Sequence, residues 1–160
     1  MITSSLSTYL RDHHAAARGG LELARRTLAH NRGTDFEILL TELVKEIERD
    51  RDTLRSLIME LGVRADPVKI AVLWTAERIS RFKLNGQLFR YSSLSRLVEL
   101  EALHTGITAK RGLWRALRSI ASADARLDGA QLDELVARAG RQLDRVEEAR
   151  LRAVRIALLE

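Results

Sequence analysis

The chain contains no cysteine, one proline and nine glycines, and only 4% of its residues are aromatic. Without cysteine it can form no disulfide, no thiolate zinc site and no cysteine-ligated iron–sulfur cluster. The longest stretch without a charged residue is the first ten residues, which is too short to cross a membrane. The N-terminus has neither a charged n-region nor an apolar h-region, so no signal peptide is expected. These absences favour a cytoplasmic location.

Motifs of the common enzyme classes are also missing. The sequence has no Walker loop, no His-Glu-x-x-His, no Gly-x-Ser-x-Gly and no dinucleotide-binding fingerprint. What is present is apolar material for a core, since 46% of the 160 residues are hydrophobic. We therefore expect one folded domain and favour a non-catalytic function.

Helical periodicity and strong helix formers run through almost the whole chain and predict an all-α fold. Thr34 and Glu37 have the spacing of a capping box at a helix start. Gly62 suits a helix end, Pro67 suits a first helical position, and Asp128 suits an N-cap. These signals predict long helices at about 5–31, 34–62, 93–122 and 128–159, and a short helix at about 67–84.

Loop lengths predict how the helices are connected. Short loops join the first two and the last two long helices, which indicates two antiparallel hairpins. About thirty residues separate the hairpins, enough for a crossover that makes the second and third long helices parallel. This layout resembles the ferritin-like fold, and residues 9–17 resemble the first helix of small bacterial ferritin-like proteins. The resemblance implies a four-helix bundle with a crossover helix.

The same resemblance implies a di-iron site, which needs a Glu from each of two helices and a Glu-x-x-His pair from each of the others. Here Ala17 and Arg49 stand where that pattern requires ligands, and Glu101–His104 is a lone Glu-x-x-His pair. We therefore expect a degenerate or absent metal site and no cofactor. The alternative is an iron- or manganese-binding oxidase or iron-handling protein. Its candidate ligands are His13, Glu46, Asp50, His104 and Glu147.

Two charged residues fall within apolar helix faces. Asp50 lies in the stripe of the second long helix, and Arg150 lies in the stripe of the last one. An interior pair would place a guanidinium where a metal ion would otherwise lie, with His13 or His14 as a second candidate partner for Asp50. The other interpretation directs Arg150 out of the bundle and leaves Asp50 in water. At Gly20 we expect a close approach of a neighbouring helix.

Residues 63–96, here called the basic segment, carry seven basic and two acidic residues and so account for the whole net charge of +5. The segment also holds four of the seven aromatic residues. Its apolar run at residues 70–74 favours packing against the bundle and a homodimer interface. The third hypothesis is a basic module that binds nucleic acid or another partner through residues 63–96. Nucleic acid is disfavoured by the modest net charge, and a membrane surface is less favoured still. The candidate partner surface comprises Trp74, Arg78, Arg81, Phe82, Lys83 and Arg90.

Overall fold

A computed structural model describes residues 3–63 and 91–159 of the chain, and these residues form an all-helical structure without strands. The long helices are α1 (Ser4–His30), α2 (Glu37–Glu60), α3 (Ser93–Ile120) and α4 (Gly129–Leu159). A 3₁₀ turn, Ala121–Ala123, follows α3. None of these four helices is long and apolar enough to cross a membrane. The prediction of an all-α protein with four long helices is confirmed.

Three helix ends are capped by nearby residues, and two of these caps, Gly62 and Asp128, follow the signals in the sequence. Gly62 has a φ of +74°, and the amides of Gly62 and Val63 donate to carbonyl oxygens in the last turn of α2. Ser92 caps α3 in a reciprocal pair with Ser95. The Asp128 carboxylate accepts from two backbone amides in the first turn of α4. Side-chain and glycine caps therefore replace the hydrogen bonds that helix ends lack.

The start of α2 differs from the prediction. The helix begins at Glu37, and its N-cap residue Phe36 makes no side-chain capping bond. The Glu37 carboxylate instead accepts from the amide of Gly33 at 2.7 Å and from Arg32 at 2.8 Å. The Thr34 hydroxyl donates to the Asn31 carbonyl. The capping box was therefore wrong, because Thr34 belongs to the turn and Glu37 reaches back beyond it.

Contacts between α2 and α3 show that these two helices run in the same direction. Near the start of both, the Arg96 guanidinium lies over the Phe36 ring, 4.6 Å from its centroid. Further along both helices, Lys110 bonds to Asp50. The offset between partners is 60 residues at both levels, as expected for parallel helices.

α4 runs antiparallel to α2, and α1 runs antiparallel to α3. Arg152, near the end of α4, also lies over the Phe36 ring at the start of α2. Arg126, just before α4, donates to the Leu61 carbonyl at the end of α2. Arg26 near the end of α1 meets Glu99 near the start of α3. The ferritin-like layout and the short helix at 67–84 depend on residues 64–90, which lie outside the described residues, so both stay predictions.

The core lies between the four helices and is made mostly of leucine, with Trp114 only 1% exposed. Of the described residues, Trp114 alone has a buried side-chain polar atom without a hydrogen-bond partner, its indole Nε1. Gly20 does not mark a close helix approach, because a Cβ atom added there would meet no atom within 4 Å. That expectation was wrong.

Candidate functional site

Asp50 is a carboxylate inside the bundle, and only 2% of its surface is exposed. Its Oδ2 accepts hydrogen bonds from Lys110 Nζ at 2.5 Å and from Gln142 Nε2 at 3.2 Å. Its Oδ1 accepts from Arg138 Nε at 2.8 Å. Because a buried charge is tolerated only when it is paired and hydrogen-bonded, these three donors allow an acid to lie in the core.

The bonds continue from Asp50 toward the surface between α2 and α4. Gln142 is fully buried, accepts from Lys110 at 2.6 Å and donates to Glu46 at 2.9 Å. Arg145 donates to the same Glu46 oxygen, and at 3.3 Å to Glu42, whose side chain is 59% exposed. The chain of bonds therefore connects the bundle interior with solvent. We call the following side chains the Asp50 network: Glu42, Glu46, Asp50, Lys110, Arg138, Gln142 and Arg145.

Helical spacing brings these side chains together. On α2 the three acids are four residues apart, so they share one face. On α4 the partners Arg138, Gln142 and Arg145 recur at intervals of four and three, which also defines one face. Lys110 occupies a position within the apolar stripe of α3, between Ile107 and Trp114. This polar interruption and the two facing polar helix faces are the sequence signals that could have revealed the network.

The electrostatics of the network follow from its burial. Three cationic side chains face three carboxylates, so the network has no formal surplus of charge. Burial lowers the pKa of the Lys110 ammonium, whereas the nearby Asp50 carboxylate acts in the opposite direction. The ammonium therefore depends on Asp50 to remain charged in the interior.

Arg150 does not pair with Asp50, so that proposed partnership is wrong. Its guanidinium binds Glu147 on its own helix at 2.7 Å and approaches Glu101 of α3 at 3.6 Å. Its side chain is 25% exposed, because it leaves the apolar face and reaches the boundary between α3 and α4. The prediction that a cation pairs with Asp50 in the interior is right, but the cations are Lys110 and Arg138.

The histidines also lie apart from Asp50's hydrogen bonds. The ring of His13 packs edge-on against Tyr9, with 4.5 Å between the ring centroids, and burial lowers its pKa. Burial likewise lowers the pKa of His14, followed by the positive charges of Arg18, Arg51 and Arg55. Asp50's described hydrogen-bond partners include neither histidine, contrary to the second candidate pairing.

The five candidate metal ligands are not brought to one point. Glu46 and Asp50 share Gln142 as a donor between α2 and α4. Glu147 instead pairs with Arg150 on the α3 side of α4. The hydrogen bond from Arg150 lowers the pKa of Glu147 most, and nearby His104 lowers it further. Within residues 3–63 and 91–159, no three His, Asp or Glu side chains are grouped so that they could hold a metal ion. Ala17 packs partly buried against the core, and Arg49 is exposed.

A second polar cluster joins the end of α1 to the start of α3. Asn31 is fully buried, donates to the Tyr91 hydroxyl at 2.7 Å and accepts from Arg96. The Tyr91 hydroxyl donates to Glu99 at 3.1 Å, and the ring of Tyr91 packs against His30. Burial raises the pKa of Tyr91 to about 12. The cluster orients the chain where it enters α3.

The six residues predicted as a partner surface lie outside the described residues: Trp74, Arg78, Arg81, Phe82, Lys83 and Arg90. No family model, curated protein or solved structure matches this chain. The functional interpretation therefore depends on the geometry of the described residues.

Proposed function

We propose that this chain is a non-catalytic helical-bundle protein of ferritin-like layout, whose interior acids are neutralised by side-chain cations and hold no metal. The observation that carries this proposal is the environment of Asp50. Both of its oxygens accept hydrogen bonds from the protein, and Lys110 and Arg138 supply the positive charge. A metal ion at Asp50 would have to displace both cations, and within residues 3–63 and 91–159 neither forms an ion pair with another carboxylate.

The described geometry does not favour the alternative of a di-iron or di-manganese protein. A di-metal centre of the ferritin type needs acids and histidines directed to one point between the helices. Here Glu46 faces Arg145 across the gap between α2 and α4, whereas Glu147 faces the opposite side of α4. The candidate ligands Glu46 and Glu147 are therefore separated by the body of α4.

Metal analysis of the purified protein tests the proposal. After growth with added iron or manganese, we expect far less than one metal ion per chain and no oxygen consumption with ferrous iron. The variant His104→Ala, which lacks the only histidine of the Glu-x-x-His pair, should give the same result. About two metal ions per chain, lost in His104→Ala, would overturn the proposal in favour of the alternative.

We also propose that the protein self-associates and acts in the cytoplasm. Exposed apolar side chains at one end of the bundle support self-association, because Ile38, Leu94 and Leu158 are 77%, 45% and 63% exposed. The absence of cysteine supports the location. Sedimentation equilibrium tests the first point: a dimer is expected, and a monomer at all concentrations would contradict it.

A further inference from the structure

A groove lies between α3 and α4 near the turn that joins them. Its volume is about 380 Å³, and it is a shallow groove that is largely open to solvent. The groove is separate from the Asp50 network, which lies between α2 and α4. It is lined by Arg115, Arg118, Ser119, Ser122, Asp133 and Val136.

The groove carries more positive than negative charge. Arg118 Nε donates to Asp133 Oδ1 at 2.9 Å, and this pair is about half exposed. Arg115 is exposed and has no hydrogen bond or ion pair to any other residue that the structure describes. Two guanidinium groups therefore face one carboxylate, and the guanidinium of Arg115 is available to a ligand.

The remaining lining residues supply a hydroxyl donor and an apolar surface. Ser119 uses its hydroxyl to donate to the Ala116 carbonyl at 2.7 Å. The Ser122 hydroxyl has no such partner within residues 3–63 and 91–159, so it can donate to an oxyanion. Val136 is half-buried and offers an apolar contact on the α4 side.

We propose that this groove binds a small phosphate-bearing molecule, with Arg115 as the main phosphate contact and Arg118 and Ser122 as further donors. Guanidinium groups present paired N–H donors that match phosphate oxygens, and charge-assisted bonds of this kind are stronger than neutral ones. The proposal concerns a different site from the Asp50 network and does not depend on the proposed function.

The charge of the groove favours a small ligand over a nucleic acid. A nucleic-acid interface neutralises several phosphates with a row of free cations, and its affinity then falls steeply with salt. In the groove only one guanidinium is free of a carboxylate partner, because Asp133 engages Arg118. One phosphate group, or two joined as a pyrophosphate, fits this arrangement better.

Binding is tested by calorimetric titration of the full chain with inorganic phosphate and with pyrophosphate at low ionic strength. We expect one site per chain. Arg115→Gln should weaken binding about tenfold, because it removes a charge-assisted contact. Asp133→Asn should tighten binding severalfold, because it removes a negative charge beside the bound anion. This gain cannot result from a loss of folding.

Arg155→Gln is the matched control, because it removes an exposed arginine from the distant part of α4. It should leave the affinity for phosphate and pyrophosphate unchanged. Equal weakening by Arg155→Gln and Arg115→Gln would overturn the proposal, since it would show attraction to the net charge alone. The absence of saturable binding at millimolar phosphate and pyrophosphate would also overturn it. So would selective binding of a single-stranded oligonucleotide with a steep salt dependence.

Discussion

Asp50 is an acid on an apolar helix face, and its 2% exposure means that the protein itself must supply its hydrogen-bond donors. Lys110 and Arg138 are bound to it with side-chain exposures of only 15% and 18%. Each of the three charges is therefore costly without the others. A buried group of this kind affects stability most when only one partner is removed.

Replacing Asp50 with Asn should lower the free energy of unfolding by about 3–5 kcal/mol, because it leaves two cations inside the bundle without their carboxylate. Urea unfolding followed by circular dichroism measures the change. Glu42→Gln is the matched control and should cost less than about 1 kcal/mol, because its pair with Arg145 lies at the surface.

A triple replacement tests whether the stability lost in Asp50→Asn comes from the unpaired charges or from the side-chain volume at these positions. Asp50→Leu with Lys110→Met and Arg138→Met should recover most of the stability lost in Asp50→Asn, since buried ion pairs exchange for apolar side chains at little cost. If Asp50→Asn and Glu42→Gln have equal, small effects, the carboxylate of Asp50 is not desolvated and the account of the network is wrong.

Tyr91 gives a prediction about pH. Its pKa is raised to about 12, chiefly by burial, whereas an unfolded tyrosine titrates near 10. The folded state therefore holds the phenolic proton more tightly. This contribution to stability is complete below about pH 10 and is lost as the pH rises toward about 12.

The wild-type protein should therefore lose stability between about pH 10 and pH 12 more steeply than Tyr91→Phe, which has no phenolic proton. Unfolding midpoints of both proteins across this range measure the difference, and the absorbance of tyrosinate follows the titration directly. Parallel stability curves for the two proteins would show that the pKa of Tyr91 is not raised by folding.

At the scale of the helix, replacing glycine with alanine should change stability in opposite directions within a helix and after its end. A Cβ atom added at Gly106 or Gly112 would meet no atom within 4 Å, so neither glycine is needed for packing. Gly62 has a φ of +74° after the end of α2, a conformation that side chains disfavour. The same substitution should therefore give effects of opposite sign.

Gly106→Ala and Gly112→Ala should each raise the free energy of unfolding by about 0.5–1 kcal/mol, because alanine loses less backbone entropy in a helix. Gly62→Ala should lower it by about 1–2 kcal/mol. Denaturant midpoints of the three variants measure the effects. Stabilisation by Gly62→Ala, or destabilisation by both of the others, would contradict the assigned helix positions.

Helix ends were more predictable than contacts between helices. The Asp128 cap and the Gly62 end depend on residues close in sequence, and both were correctly predicted. Asp50 was correctly placed inside, but its partner Arg150 was not. Arg150 lies twelve residues beyond Arg138, about 18 Å along the axis of α4, so it is level with the start of α2 and not with Asp50. Spacing within one helix does not give this axial register between two helices. Lys110 interrupts the apolar stripe of α3, but this position alone does not show which carboxylate its side chain binds.

At the scale of the whole molecule, the Asp50 network brings together three of the four helices. Asp50 comes from α2, Lys110 from α3, and Arg138 and Gln142 from α4. α2 belongs to the first hairpin, and α3 and α4 form the second. The network therefore joins both hairpins at the same level of the bundle. Neutralisation of the interior by the chain's own cations is the central claim of this account.

The effect of metal ions on stability tests that claim most directly. A ligand that binds the folded state stabilises it by about 2.7 kcal/mol at one hundred times its dissociation constant. We predict the same free energy of unfolding in a chelator, in millimolar manganese and, under anaerobic conditions, in millimolar ferrous iron. A rise of this size with either metal, or destabilisation by the chelator, would contradict the claim that side-chain cations take the place of a metal at Asp50.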